Sequence, residues 1–230
     1  MAQPHTLAPL GDRAIVVQLG DRIDDDTFHR VQALSRRLQQ AAISGVVEHV
    51  PAYTTVTIYY DPLQTTYQEV GASLEELLAT LNASSTTASR TVEIPVCYGG
   101  EWGCDLEFVA EHNGLSTSDV IAIHSGVDYR LHMLGFAPGF PYLGGMSERI
   151  AAPRRSSPRP RIPAGSVGIA GSQTGIYSLE TPGGWQLIGR TPLQLFRPDE
   201  SPPTLLAAGD LVRFRPISAQ EFTRLQEAGS

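Results

Sequence analysis

An α+β fold in two parts is predicted: a small ferredoxin-like α/β domain over residues 1–90, then a β-barrel or β-sandwich domain over residues 91–230. Three observations predict it. The first 90 residues alternate strand-like and helix-like patterns in the order β-α-β-β-α, close to a split βαβ unit. The remainder breaks into short β-rich runs separated by Gly/Pro turns. Twelve of the 17 prolines lie at or beyond Pro138, so the composition changes between the two parts.

RAIVVQLG (13–20) is β-rich and follows a Gly-Asp turn. DDDTFHRVQALSRRLQQAAI (24–43) places Phe28, Val31, Leu34, Leu38 and Ile43 near one helical face. Its acidic start, Asp24 to Asp26, suits the helix dipole, and Gly45 stops it. GVVEHVPAYTTVTIYYD (45–61) reads as two strands with Pro51 near the turn. TTYQEVGASLEELLATLN (65–82) is a second helix burying Leu74, Leu77, Leu78 and Leu81. TVEIPV (91–96) is a strand that either completes the first sheet or leads out of it. The small polar run ASSTTASR (83–90) is the expected linker.

In the second part, DLEFVAEHN (105–113) and SDVIAIHS (118–125) are short helices, the second capped by Ser116 or Thr117. VDYRLHMLGF (127–136) alternates as a strand. Further short strands are expected around Val167–Ala170, Ile176–Glu180, Trp185–Arg190, Leu193–Phe196 and Leu211–Phe214.

Hydrophobic residues make up 41% and charged residues 18%, enough to bury a core. The net charge of −7 argues against a general nucleic-acid binder, which needs a basic face to neutralise phosphates. No apolar stretch approaches the roughly 18 residues of a membrane span. The N-terminus lacks a basic segment followed by an apolar run, so a cytoplasmic protein is expected. All 17 basic residues are arginine. Without lysine there is no Schiff base, no P-loop lysine and no biotinylation site, and any anion held by a side-chain cation must be held by arginine. Cys97 and Cys104 form neither a disulfide framework nor a usual zinc spacing, and no metal site is expected.

HMLGFAPGFPYLGGM (132–146) combines four glycines, two prolines and rigid aromatics with almost no charge. It reads as a pre-organised pocket wall formed by Phe140 and Tyr142, or as a packed loop sealing a barrel end. ERIAAPRRSSPRPRIPAGSVGIAG (148–171) carries Arg149, Arg154, Arg155, Arg159 and Arg161 on a proline-stiffened backbone, with Glu148 its only acid. That pattern fits recognition of a carboxylate or phosphate, and equally a solvated basic loop. PAGSVGIAG (163–171) adds backbone N–H groups near Ser166. In TPGGWQLIGRT (181–191), Trp185 can stack on a planar group or simply pack, and Arg190 can meet an anionic ligand or a buried carboxylate. Among six scattered histidines, His124 is the candidate for acid/base work, against a cap or surface role.

With these stretches in view, the chain resembles the KipI-like family. This is the small B-type subunit of prokaryotic 5-oxoprolinase, also called allophanate hydrolase subunit 1 or carboxyltransferase domain, subdomains C and D. The resemblance rests on PVCYGGEWGCDLEFVA (95–110), VIAIHS (120–125), LGFAPGFPYLGGM (134–146), PRRSSPRPRIPAGSVGIAG (153–171), QTGIYSLETPGGWQLIGRTP (173–192) and AAGDLVRFRPIS (207–218). Cys104 departs from the pattern, standing where Pro is expected. The resemblance implies that the second domain is a cyclophilin-like β-barrel. It implies one subunit of an ATP-dependent enzyme that opens the lactam of 5-oxoproline to L-glutamate, expected to be inactive alone. The implied partners are a larger carboxyltransferase-domain protein (the C-type subunit) and a LamB/YcsF-like protein (the A-type subunit), with ATP and Mg²⁺ bound through a partner. Under this reading Arg154, Arg155, Arg159 and Arg161 contain the anion contacts, and His124, Arg159 and Arg161 are the catalytic candidates. Phe140, Tyr142, Ser166, Gln173, Trp185 and Arg190 complete the substrate-binding set. The same motifs also mark inhibitors of a sensor histidine kinase and subunits of allophanate- or urea-type amide hydrolases and carboxylases.

Overall fold

A computed structural model describes residues 5–81 and 90–228. The chain divides into two compact units, Met1–Ala88 and Ser89–Ser230. The expected linker at 83–90 lies, apart from Arg90, outside the described residues.

The first unit contains β1 (Thr6–Pro9), β2 (Ala14–Gln18), α1 (Asp25–Gln40), β3 (Val46–Pro51), β4 (Thr55–Tyr60) and α2 (Tyr67–Ala79). Its antiparallel sheet has the order β1-β2-β4-β3. Strand alternation puts Ile15, Val17, Val56 and Ile58 on one face, where they meet Val31, Leu34 and Leu38 of α1 and Val70, Leu74 and Leu78 of α2. Asp24 caps α1 by accepting from the Thr27 amide, and Thr66 and Glu69 form a capping box on α2.

The ferredoxin-like expectation needs correction at the sheet edge. The expected β-α-β-β-α run is present, but the strand beside β2 is β1, from the N-terminal side, folded back through a turn in which Gly11 has φ 64°. TVEIPV leaves this sheet altogether. Residues 6–9 carry a proline and no buried alternation, which suits an edge strand and leaves no periodic signal to detect.

The second unit contains β5 (Thr91–Tyr98), α3 (Leu106–His112), α4 (Thr117–Ser125), β6 (Asp128–Leu134), β7 (Pro141–Gly144), β8 (Arg159–Ile162), β9 (Ser166–Ala170), β10 (Gln173–Ile176), β11 (Thr181–Gly183), β12 (Gln186–Arg190), β13 (Leu211–Pro216) and α5 (Ala219–Ala228). Seven strands close a barrel in the order β10-β7-β6-β13-β5-β12-β9, and β8 pairs with β11 as a separate ribbon. β5 runs parallel to β13 and antiparallel to β12. Ser116 caps α4 through a capping box with Asp119.

Several local expectations differ. Leu193–Phe196 is no strand: it follows Pro192 and makes a single bridge, Phe196 to Thr204, while Leu195 is buried in the core. The expected strand Ile176–Glu180 is divided between the end of β10 and a bend before β11. Cys97 is buried and Cys104 exposed, and both are free thiols. No helix among the described residues is long and apolar enough to cross a membrane.

Candidate functional site

The barrel wall has two different faces, and alternation along β9, β10 and β12 sorts side chains between them. Val167, Ile169, Ile176 and Ile188 point into the barrel core. Ala170, Tyr177 and Leu187 belong instead to a second cluster with Phe140, Ile162 and Trp185. On the stretch 173–177, Gln173 and Tyr177 line a cup in the second cluster, and a Cβ on Gly175 would meet Phe140 and Trp185 there. Thr174 and Ile176 face inward.

The cup has a volume of about 160 Å³ and is lined by Phe136, Phe140, Tyr142, Arg154, Gln173, Tyr177, Trp185 and the segment Pro182 to Gly184. Phe140 is its hub. Its ring lies edge-on to Phe136, Tyr142, Tyr177 and Trp185, with centroids 5.3–5.8 Å apart. Gly175 is required by this contact, since a Cβ there would lie 3.0 Å from Phe140 Cζ and 3.3 Å from Trp185. Phe136 stands at the mouth, 66% exposed, with φ 65°. A left-handed backbone at a non-glycine residue costs about 1–2 kcal/mol, and sites of this kind cluster where ligands or partners bind. Burial pushes the Tyr177 phenol up, partly offset by a backbone hydrogen bond at Trp185 and by Arg154 and Arg159.

The structure thus gathers Phe140, Tyr142, Arg154, Gln173 and Trp185 of the predicted set around one cavity. Arg154 is exposed and has no protein acceptor among the described residues, so it presents its guanidinium at the rim.

The other predicted residues go elsewhere. Arg159 binds Asp105 through both terminal nitrogens at 2.9 Å, and Arg155 reaches the same carboxylate at 3.3 Å. Arg161 pairs with Glu180 at the surface. Ser166 is buried in the β9 ladder, where its carbonyl accepts from the Tyr177 amide. Arg190 donates from Nε to the Ala164 carbonyl and lines a separate small cavity beside Thr191 and Phe222.

His124 requires the sharpest correction. It is a wholly buried residue on the inner side of the barrel wall, neither a cap nor a surface group. Thr174 Oγ1 donates to the Gly168 carbonyl, so it accepts from His124 Nε2–H at 2.8 Å, and His124 Nδ1 accepts from the Tyr98 hydroxyl at 2.8 Å. Desolvation lowers its pKa from 6.5 to about 3, which keeps the ring neutral. A sealed neutral ring with both nitrogens engaged has no access to a solute, so the geometry opposes acid/base work at this position.

Sequence reading passed over Asp105, the carboxylate to which the structure brings Arg155 and Arg159. It stood as the first residue of a short helix, and its partners lie 50 to 82 positions away. Its carboxylate is 8% exposed and accepts from Arg155, Arg159 and the Leu187 amide.

These features define a class: a β-barrel protein whose outer wall carries a small aromatic cup with one cationic residue in its lining. The chain belongs to the family described as Carboxyltransferase domain, subdomain C and D, whose profile matches residues 5–206. It is 49% identical to the B subunit of 5-oxoprolinase from Bacillus subtilis over 237 residues, covering 99% of each chain. Among solved structures, it matches the conserved uncharacterized protein PH0987 of Pyrococcus horikoshii at 49% identity and a TM-score of 0.58, covering 94% of this chain and 100% of that one. It matches TTHA0988 at 38% identity and a TM-score of 0.80, covering 90% of this chain but 40% of the other.

Proposed function

We propose that this chain is the B-type subunit of an ATP-dependent 5-oxoprolinase, and that its aromatic cup holds 5-oxoproline while the lactam is opened to L-glutamate. Near-full-length similarity to the B-type component of a 5-oxoprolinase supports the subunit role. The observation that carries the substrate assignment is the cup itself. Its roughly 160 Å³ falls below the ~300–1,000 Å³ of sites for drug-sized ligands and suits one small ring. A nucleotide exceeds that space, so the ATP site is assigned to the assembled complex.

An unstrained lactam is a poor electrophile. Transfer of the γ-phosphoryl group from ATP to the carbonyl oxygen, with ADP leaving, activates the ring carbon; water adds there, the C–N bond breaks as the nitrogen takes up a proton, and hydrolysis of the resulting acyl phosphate by a second water releases L-glutamate and phosphate. In this scheme the chain's own residues position the reactant. Phe140, Tyr142 and Trp185 enclose the ring and exclude bulk water from it, Gln173 offers an amide to the lactam edge, and Arg154 faces the carboxylate. Among the described residues no group of three or more His, Cys, Asp or Glu side chains is placed to hold a metal ion. Mg²⁺ accompanying ATP belongs to the same proposal, bound through a partner.

The partners are a carboxyltransferase-domain protein as the C-type subunit and a LamB/YcsF-like protein as the A-type subunit, working in the cytoplasm, where ATP is available. In TTHA0988 the equivalent of this chain makes up 40% of a longer polypeptide. The cyclophilin-like reading of the barrel is part of the same proposal.

The test is glutamate release from 5-oxoproline and ATP by this chain alone, by the three proteins together, and with each left out. Activity is expected only in the complete mixture. A complete, associated mixture that releases no glutamate overturns the reading.

A further inference from the structure

We propose that Asp105 is a positioning residue that sorts the arginines of the 153–161 stretch, leaving Arg154 as the single cation facing the cup, and that the cup therefore selects small rings bearing one carboxylate. The inference rests on the function proposed above and names how that site recognises its ligand.

Arg154 and Arg155 are adjacent, and either guanidinium could serve the cup. Two hydrogen bonds hold the backbone on both sides of Arg154. The buried Gln186 side chain donates to the Pro153 carbonyl at 2.8 Å, and the Arg155 amide donates to the Gly184 carbonyl at 2.7 Å. Asp105 then captures the Arg155 guanidinium at 3.3 Å and binds Arg159 at 2.9 Å through both oxygens. The carboxylate is itself fixed to β12, because it accepts from the Leu187 amide at 2.7 Å while the Asp105 amide donates to the Leu187 carbonyl at 2.8 Å. With Arg155 held on the Asp105 side, Arg154 is the arginine that lines the cup.

The charge pattern follows from this geometry. Arg155 and Arg159 share one carboxylate and Arg161 pairs with Glu180, so among the described residues Arg154 is the one cation that lines the cavity. One planar fork matches one carboxylate. A polyphosphate calls for several cations, which the cup does not present.

The experiment uses the purified full chain, with Trp185 fluorescence reporting occupancy of the cup. The probes are 5-oxo-L-proline and 2-pyrrolidinone, the same ring without the carboxylate. The wild type is expected to bind 5-oxo-L-proline about tenfold or more tightly than 2-pyrrolidinone, the scale of a charged hydrogen-bonded contact. Arg154→Met should bring the two affinities together. Asp105→Asn should weaken 5-oxo-L-proline several-fold and leave 2-pyrrolidinone unchanged, whereas a collapsed cup would lose both. Where Asp105→Asn lowers the folded fraction, Gln186→Leu frees the Pro153 carbonyl and should show the same carboxylate-selective loss. Equal losses for both probes in the positioning variants overturn the role of Asp105. A 5-oxo-L-proline affinity untouched by Arg154→Met, or no binding of either probe by the wild type, overturns the whole assignment. Glutamate release by the assembled complex is read separately. Carboxylate-selective binding without turnover leaves the cup assignment standing and removes the enzyme reading. Turnover whose KM for 5-oxoproline ignores Arg154→Met does the reverse.

Discussion

Phe140→Ala is expected to lower the unfolding free energy of the barrel unit by about 3–5 kcal/mol, the usual range for removing a buried phenylalanine. The side chain is 3% exposed and touches four other aromatic rings, so its loss leaves a cavity that rigid neighbours cannot fill. For a unit of this size the melting temperature should fall by roughly 10 °C. Ligand binding in the cup should fail as well, because Tyr177 and Trp185 lose the edge that holds them. Phe140→Leu preserves much of the volume and should cost less than about 1.5 kcal/mol. Phe136→Ala, at the exposed mouth, should change stability by no more than about 0.5 kcal/mol. Thermal and denaturant unfolding of the three variants checks the ordering. A Phe140→Ala protein as stable as the wild type would show that this ring is not the hub of the cup.

His124 should make the barrel unit sensitive to mild acid. The folded protein holds the ring neutral, with a pKa near 3 against 6.5 unfolded. Between those values the unfolded chain binds the additional proton, so stability rises with pH. The contribution is complete above pH 6.5 and is lost as pH falls through the window toward 3. Its slope is about 1.4 kcal/mol per pH unit, so the wild type should lose about 2 kcal/mol from this group by pH 5. The groups facing the ring do not alter the sign. Tyr98 and Tyr129 are phenols pushed upward by burial, and Thr174 and Phe214 do not titrate in this range. Denaturant unfolding at pH 7.5 and pH 5, compared between wild type and His124→Gln, isolates the contribution. The variant should be less stable at pH 7.5 and lose less on acidification. Parallel losses in the two proteins would mean that His124 exchanges protons freely in the folded state.

Much of the fold was legible in the sequence because its signals are local. The 3.6-residue spacing of Phe28, Val31, Leu34 and Leu38 marks α1, and a Ser-Thr pair at 116–117 marks the start of α4, where Ser116 is the cap. The aromatic Gly/Pro segment and the PGGW stretch, each readable as a pocket wall or as packed structure, both contribute residues to the cup. Family membership was legible in the motifs of the second part, and the family match extends over residues 5–206.

Tertiary structure alone decided which of these residues act together. β1 has no buried stripe, so only its pairing with β2 reveals it as the sheet's edge. On the stretch 173–177, a period of two sends Gln173 and Tyr177 to the cup and Thr174 and Ile176 to the core, but both faces are buried and sequence polarity cannot tell them apart. Neighbouring positions in the chain let the arginine cluster read either as one anion site or as a solvated basic loop. Its division into Arg154 at the cup and Arg155 and Arg159 at Asp105 depends on a carboxylate 50 residues away. His124 carries the same lesson: its place inside the barrel wall is set by Tyr98 and by Thr174, 50 positions further on. Local pattern determines which elements form. Contacts between positions far apart in sequence, made only when the barrel closes, determine which charges are paired and which remain for a ligand.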